Sequence, residues 1–215
     1  MSVFAGRPII AVVRHHDAAT ARVIAFAAAD VLPAVEVTYT VPGASELIAD
    51  LIRHDRAVTR ETLVGAGTVC DAATARQAIA AGAQFLVAPN FDAAVAVVAE
   101  DAGVPYVPGT FSPTEVLAAA QQGCSTVKLF PAATLGPDFL RAMIAVAPHV
   151  QFVPTGGIGA ADAASWFDAG ATAIGIGSSF AHALASGGVT TLAAEVAALV
   201  DLAPSIDSST TGALA

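Results

Sequence analysis

The chain contains a single lysine, Lys128, which lies between Val127 and Leu129 in a short apolar segment. The other eight of its nine Lys and Arg residues are arginines. A general preference for arginine would explain why the surface lacks lysine, but it does not explain why Lys128 is present. Burial in apolar surroundings disfavours the charged ammonium form, and a neutral amine attacks a ketone to form a Schiff base. A lysine that pairs with a carboxylate or extends to solvent is the alternative, and we favour covalent chemistry.

A second residue with unusual surroundings is Glu36, which lies in the middle of the apolar segment PAVEVT. Acidic side chains are rarely buried without a partner. Glu36 could transfer protons at a substrate carbon and at a carbinolamine oxygen, or it could form an ion pair with Arg14 from a neighbouring strand. We favour proton transfer.

Two glycine-containing segments, PTGGIG at 154–159 and GIGSS at 175–179, follow apolar segments near the C-terminus. Glycine lets backbone N–H groups approach an anion closely, and barrel proteins often bind phosphate at the loops after the last two strands. Glycines also permit tight turns without any ligand. Two such segments at consecutive strand ends favour a phosphate site.

These residues must be positioned by an alternation of short β-branched segments and Ala-rich stretches. The strand candidates are 8–14, 33–38, 62–68, 84–89, 104–109, 126–130, 151–156 and 172–177, and helical stretches include 17–30, 43–54, 71–81 and 92–101. Apolar strands separated by helices are typical of a parallel sheet covered on both faces. The pattern predicts an α/β fold, a small single-domain (β/α)8 TIM barrel over residues 1–202, with a flexible tail at 203–215. A doubly wound open sheet is the alternative.

Helix ends are also marked in the sequence. Asp71, Asp92 and Ser112 precede helical stretches as N-caps, and Gly82, Gly103, Gly123 and Gly170 follow helices. In a barrel the chemistry lies at the C-terminal ends of the strands. This rule selects Arg14, Glu36, Thr68, Pro89, Gly109, Lys128, Thr155 and Gly177.

Composition and charge exclude several classes. The net charge of −9 and the absence of a basic cluster argue against a nucleic-acid partner. The longest segment without Asp, Glu, Lys or Arg, 169–194, contains several glycines and serines, so we expect no membrane span. Cys70 and Cys124 are too few for a disulfide framework and are expected as reduced core thiols in a cytoplasmic protein. No metal-ligand spacing, Rossmann fingerprint or P-loop occurs, so neither a metal nor a cofactor is expected.

Several segments in order resemble one family. They are EVTYTVPGA (36–44), VGAGTV (64–69), AGAQFLVAPN (81–90), VPGTFSPTE (107–115), VKLFPA (127–132), LGP (135–137) and FVPTGGI (152–158). They are similar to the 2-keto-3-deoxy-6-phosphogluconate / 4-hydroxy-2-oxoglutarate aldolases. The resemblance implies a metal-free class I aldehyde-lyase of carbohydrate metabolism, usually a homotrimer. It would convert a small-molecule keto acid of the Entner-Doudoroff type to pyruvate and glyceraldehyde 3-phosphate.

The same resemblance implies residue roles. Lys128 matches the Schiff-base lysine and Glu36 the general acid/base. Positions that line the pocket around the keto acid match Thr68, Pro89 and Phe130, and Thr155 ends the seventh strand beside them. Gly156, Gly157, Gly177, Ser178 and Ser179 match the phosphate loops.

The sequence departs from the family's pattern in ways that leave the substrate's stereochemistry undecided. Many phosphogluconate-type members have an arginine shortly after the glutamate, where this chain has Tyr39 and Thr40. Arg14 is similar to an arginine of phosphogalactonate aldolases and could hold the substrate carboxylate instead. APN at 88–90 resembles that subgroup, but PTGGI is the phosphogluconate form, so the C4 stereochemistry stays undecided. The longer N-terminal helix of many relatives is missing, which leaves residues 1–7 or another subunit to cover the barrel bottom.

Three other functions remain possible. An unphosphorylated 4-hydroxy-2-oxoglutarate substrate would give pyruvate and glyoxylate. A non-covalent isomerase or synthase on a phosphate-binding barrel would need an acid/base pair but no covalent lysine. A non-catalytic binding barrel would leave the desolvation cost of a buried Glu36 and Lys128 unexplained.

Overall fold

The computed structural model describes residues 3–57 and 61–200. Its strands are β1 (Ile9–Val13), β2 (Ala34–Thr38), β3 (Leu63–Gly67), β4 (Leu86–Val87), β5 (Tyr106–Val107), β6 (Gly109–Thr110), β7 (Thr126–Leu129), β8 (Gln151–Pro154) and β9 (Ile174–Ile176). Its helices are α1 (Ala18–Ala29), α2 (Ala44–Ala57), α3 (Ala72–Ala80), α4 (Ala93–Ala102), α5 (Pro113–Gln121), α6 (Ala132–Val146), α7 (Ala163–Asp168) and α8 (Ser178–Ala198). The predicted tail at 203–215 lies outside the described residues.

The strands form two curled sheets in which every pairing is parallel. One sheet has the order β5-β4-β3-β2-β1-β9 and the other the order β6-β7-β8. The fifth predicted strand is divided at Pro108, which has no N–H to donate to a ladder, into β5 and β6. The prediction of an α/β fold with parallel strands is confirmed, but the pairing gives two sheets and not one closed (β/α)8 ring.

The edges of the two sheets meet on both sides. On one side the chain itself joins them, because only Pro108 separates β5, at the edge of the first sheet, from β6, at the edge of the second. On the other side, Thr155 and Gly175 form an isolated parallel bridge, and the Thr172 N–H donates to the Phe152 carbonyl at 3.0 Å. The strands therefore curl around a common interior.

The predicted helix ends agree with the structure. The Asp92 side chain accepts from the N–H groups of Ala94 and Val95, and Ser112 forms a reciprocal capping box with Glu115. Asp71 likewise caps α3. The four predicted helix-ending glycines have positive φ, a conformation that glycine adopts at little cost. Each βα unit is thus delimited by local chemistry.

Alternation along the strands separates two packing layers. In β1, Ile9, Ala11 and Val13 belong to the larger core beneath the helices, whereas Ile10 belongs to a smaller inner cluster. Phe4 closes the bottom of this cluster by packing edge-on against Phe85, with ring centroids 5.1 Å apart. Phe4 therefore closes this end of the interior.

Along the inner face the chemistry changes from apolar to polar towards the strand ends. Because side chains of one face recur every second residue, Ala34 of the inner cluster is followed on that face by Glu36 and Thr38. Likewise Ile10 is followed by Val12 and then Arg14. Glu36 and Arg14, which were picked out from the sequence, thus share the face that looks into the interior.

Within residues 3–57 and 61–200, no helix combines the length and apolarity that crossing a membrane requires. The two cysteines differ in environment. Cys124 is buried as expected, but Cys70 is exposed, so its prediction as a core thiol was wrong. It follows strand β3 at the open end of the interior, where side chains lose the cover of the helices.

Candidate active site

Lys128 and Glu36 approach one another across the interior from strands β7 and β2. The Lys128 Nζ lies 4.0 Å from the Glu36 Oε1, and the two residues are 4% and 2% exposed. This separation exceeds a hydrogen bond, and Glu36 Oε1 has no hydrogen-bond partner among the described residues. An amine and a carboxylate are held face to face with unused hydrogen-bonding capacity, as a reaction that moves protons requires.

Gly67 makes the room that Glu36 occupies. It is the register partner of Thr38 on the adjacent strand β3. A Cβ at residue 67 would lie 1.9 Å from Glu36 Oε1, a distance that no pair of non-bonded heavy atoms tolerates. Gly67 was not predicted as a site residue, although it lies inside the VGAGTV segment that resembles the family. The glutamate position therefore depends on a missing side chain in the neighbouring strand.

The residue after Gly67 has strained backbone geometry. Thr68 has a φ of 58°, and no other described non-glycine residue has a positive φ. Such a conformation costs on the order of 1–3 kcal/mol and is found most often at functional sites. The next residue is held in place, since the Val69 N–H donates to the Val87 carbonyl at 3.0 Å. The strain lies at the mouth of the interior, beside the Glu36 strand.

A cavity of about 230 Å³ opens above Lys128. It is lined by Val12, Arg14, Lys128, Phe130, Thr155, Gly156, Gly157, Ile158, Gly175, Gly177, Ser178 and Ala181. Eight of these twelve residues are predicted site residues. Of the other predicted residues, Glu36, Thr68, Pro89 and Ser179 do not line this cavity, although Glu36 faces its Lys128. Val12 and Ala181 were missed because apolar or small side chains carry no chemical signal. Ile158 and Gly175 lie inside the two predicted glycine segments but were not named as site residues.

The wall of the cavity beside the lysine is formed by Phe130 and Thr155. The Lys128 Nζ lies 4.9 Å from the centre of the Phe130 ring, within the range of a cation–π contact. Cβ atoms added at Gly156 and Gly175 would lie 2.9 Å from Phe130 Cε2 and 2.5 Å from Thr155 Oγ1. Two glycines therefore allow these side chains to pack where they do.

Arg14 lies at the mouth of this cavity. It is exposed, it lines the cavity, and within the described residues its guanidinium makes no ion pair or hydrogen bond. The alternative expectation of an Arg14–Glu36 ion pair is not observed, because Glu36 faces Lys128 instead. A free guanidinium at a cavity mouth can bind a carboxylate through two parallel hydrogen bonds.

The far end of the cavity consists of glycine loops and a helix start. Gly156 and Gly157 have φ values of 96° and 76°. Helix α8 begins at Ser178, and the Ser179 Oγ, on its first turn, is buried without a hydrogen-bond partner among the described residues. The unpaired N–H groups and the dipole of a helix N-terminus attract anions. Pro89 is exposed and lies elsewhere, with its backbone against Gly109.

A larger cleft of about 350 Å³ lies near the start of strands β5 and β7, lined in part by Val3, Glu100, Tyr106 and Cys124. Burial raises the pKa of the Cys124 thiol, which leaves it a weak nucleophile. This cleft lies at the opposite strand ends from Lys128, so size alone does not identify the site. Over residues 3–57 and 61–200, no three His, Cys, Asp or Glu residues are grouped to hold a metal.

The chain is similar in sequence to known proteins. The chain is 45% identical over 126 residues to a 2-dehydro-3-deoxy-phosphogluconate aldolase of Treponema pallidum, and the match covers 58% of each chain. It is 39% identical over 118 residues to a probable 2-dehydro-3-deoxy-6-phosphogalactonate aldolase of Rhizobium meliloti, covering 54% of this chain and 56% of the relative. The chain thus spans little more than half the length of these curated relatives.

Similarity in structure extends further along the chain. A Legionella pneumophila KDPG aldolase, captured with pyruvate as a covalent carbinolamine intermediate, superposes with a TM-score of 0.78 at 28% identity. The alignment covers 92% of this chain and 96% of that protein. The model of the KDPG and KHG aldolase family matches residues 2–194. Since that match includes nearly all of the sequence, the chain belongs to the KDPG and KHG aldolase family.

Proposed function

We propose that the chain is a class I aldehyde-lyase that cleaves a 2-keto-3-deoxy-6-phospho sugar acid to pyruvate and glyceraldehyde 3-phosphate. The observation that carries this proposal is the buried Lys128 with its Nζ 4.0 Å from Glu36 Oε1 at the base of a cavity. A structural lysine would gain little from this position, because burying a charge without hydrogen bonds costs on the order of several kcal/mol. The family and its named members support the same reaction class.

The first step forms the imine. The neutral Lys128 amine adds to the C2 carbonyl of the substrate, and the carbonyl oxygen takes up a proton to give a carbinolamine. Loss of that oxygen as water leaves a protonated imine. Glu36 is the acid group that faces Lys128 and can deliver and accept these protons.

The second step breaks the C3–C4 bond. Glu36 as a carboxylate accepts the C4 hydroxyl proton while the bond electrons move to the C2–C3 position, and the aldehyde leaves. The resulting enamine takes a proton from Glu36 at C3, which becomes the methyl group of pyruvate. Hydrolysis of the imine returns the free amine. One carboxylate therefore suffices for the transfer, provided that it keeps its position relative to Lys128.

The ends of the substrate are both anionic, and the cavity has groups suited to each. We propose that Arg14 binds the carboxylate beside C2, since it lines the cavity and has a free guanidinium among the described residues. Phe130 and Thr155 would shape the keto-acid pocket, with Thr68 at its mouth, whereas Pro89, which lies away from the cavity, would not. Gly156, Gly157, Gly177, Ser178 and Ser179 would hold the phosphate through backbone N–H groups and serine hydroxyls. These local donors would overcome the repulsion expected from a net charge of −9.

We also propose that the two sheets close into a single barrel and that the chain forms a homotrimer. Residues 1–202 would form one (β/α)8 barrel, supported by the bridge of Thr155 to Gly175 and the hydrogen bond from the Thr172 N–H to the Phe152 carbonyl, which link the two sheets. A homotrimer in the cytoplasm is in keeping with a charged fraction of only 13% and with exposed apolar residues such as Val97 and Val189.

Trapping with borohydride in the presence of pyruvate tests the proposal. Reduction of the imine should leave a stable adduct on the peptide that contains Lys128, detected by mass spectrometry. Lys128→Met, which preserves the chain's bulk without the amine, should give no adduct. An active chain without an adduct on Lys128 would favour the non-covalent isomerase or synthase.

A substrate panel decides between the related reactions. Pyruvate release from 2-keto-3-deoxy-6-phosphogluconate, the galactonate epimer and 4-hydroxy-2-oxoglutarate should be fastest with a phosphorylated acid. Preference for 4-hydroxy-2-oxoglutarate would assign glyoxylate as the aldehyde and refute the phosphate role of the glycine loops.

A further inference from the structure

Arg14 lacks the contacts that usually fix a functional arginine. It follows Ile10 and Val12 on the inner face of β1, and the pairing of Val13 with Val37 places it beside Thr38 of β2. Its guanidinium makes no hydrogen bond or ion pair to any residue in 3–57 or 61–200. The direction of the side chain therefore depends on the backbone at the end of β1.

Two threonines hold that backbone, Thr38 at the end of β2 and Thr40 in the turn that follows it. The Thr38 Oγ1 donates to the Val13 carbonyl at 3.0 Å, and it lies 2.8 Å from the Thr40 Oγ1. A threonine hydroxyl has one hydrogen. Since that of Thr38 is given to Val13, the Thr40 hydroxyl must be the donor to Thr38. The bonds form a relay from exposed Thr40 through fully buried Thr38 to the Val13 carbonyl.

We infer that Thr38 and Thr40 are positioning residues that direct Arg14 into the cavity. The Val13 carbonyl belongs to the peptide plane that also contains the Arg14 N–H, so fixing this plane sets the direction in which the Arg14 side chain leaves the strand. Pre-orienting a binding group lowers the cost of ordering it when the ligand arrives. Thr40 thereby supports, through Thr38, the orientation of a cation on the neighbouring strand. This inference rests on the proposed function, in which Arg14 binds the substrate carboxylate.

Steady-state kinetics of Thr40→Val tests the relay, because valine preserves the shape of threonine without its hydroxyl. In the condensation of pyruvate with the aldehyde, KM for pyruvate should rise about 3- to 10-fold, the loss expected for one hydrogen bond, with kcat within about twofold. Thr40→Ser retains the hydroxyl and should recover the wild-type KM. Thr114→Val, a matched change at an exposed threonine on α5, should leave KM unchanged.

The same substitution in an Arg14→Ala background separates positioning from general stability. If Thr40 acts through Arg14, Thr40→Val should not raise the KM of Arg14→Ala any further. Without the Arg14 side chain, the hydroxyl of Thr40 has no guanidinium left to orient. Equal effects in both backgrounds, or a lower Tm with unchanged KM, would overturn the inference. If Arg14→Ala itself leaves KM unchanged, the proposed carboxylate role fails and the inference falls with it. If Arg14→Ala raises KM but Thr40→Val does not, only the relay is refuted.

Discussion

Substituting Gly67 by alanine should damage the reaction without removing any functional group. The new Cβ would lie 1.9 Å from Glu36 Oε1, whereas ordinary contact begins at 3.4 Å, so the carboxylate must move by about 1.5 Å. A misplacement of about 1 Å can cost on the order of 10²-fold in rate. We therefore expect kcat for cleavage to fall by about that factor, while borohydride trapping of pyruvate on Lys128 continues.

Matched glycine variants show whether the loss comes from the carboxylate. In Gly65→Ala the Cβ would lie 2.5 Å from the Phe85 ring, which should lower stability more than kcat. In Gly159→Ala the nearest atom is Asp162 Oδ2 at 3.7 Å, so little should change. In a Glu36→Ala background, Gly67→Ala should have almost no further effect on kcat. A Gly67→Ala enzyme with wild-type kcat would show that the position of Glu36 does not control the rate.

Four further substitutions test other parts of the site and fold. Lys128→Arg should abolish cleavage and trapping, since a guanidinium stays protonated and is a poor nucleophile; normal turnover would exclude the imine. Glu36→Gln should slow cleavage by about 10²–10⁴-fold in a stopped assay of pyruvate release, and a change of only a few-fold would leave Glu36 a structural role. Arg14→Ala should raise KM for pyruvate with Tm unchanged, and a normal KM would assign the carboxylate to backbone N–H groups. Phe4→Ala should lower the free energy of unfolding by about 3–5 kcal/mol in urea titrations with kcat retained; unchanged stability would contradict its role in closing the interior.

Local patterns predicted the elements well. Each predicted strand contains an observed strand, and the N-caps at Asp71, Asp92 and Ser112 are confirmed because capping depends on residues within one turn. The division of the fifth strand at Pro108 was not predicted, although proline cannot donate to a ladder. It went unrecognised because strand residues flank it on both sides.

Features that depend on neighbouring strands were harder to predict. Glu36 and Lys128 were identified as unusual residues in apolar segments, but their mutual distance depends on the curl of the sheets. Gly67 was missed since its role is defined only by the side chain of another strand. The relay from Thr40 to Val13 was missed for the same reason, because a threonine at the end of a strand or in the turn after it is ordinary.

The division of the inner face into an apolar lower layer and a polar upper layer explains how the fold tolerates this site. Burying Glu36 and Lys128 without mutual hydrogen bonding is unfavourable, and Thr68 adds backbone strain. Below them, Phe4 and Phe85 seal the interior with aromatic surface, each contributing about 1.5–3 kcal/mol through burial by general estimates. The two layers are built on the same strands but from different side chains. The apolar lower layer can therefore stabilise the fold while Glu36 and Lys128, in the upper layer, are not hydrogen-bonded to one another. This division is in keeping with the proposed lyase, whose reaction uses an amine and a carboxylate that are not hydrogen-bonded to one another.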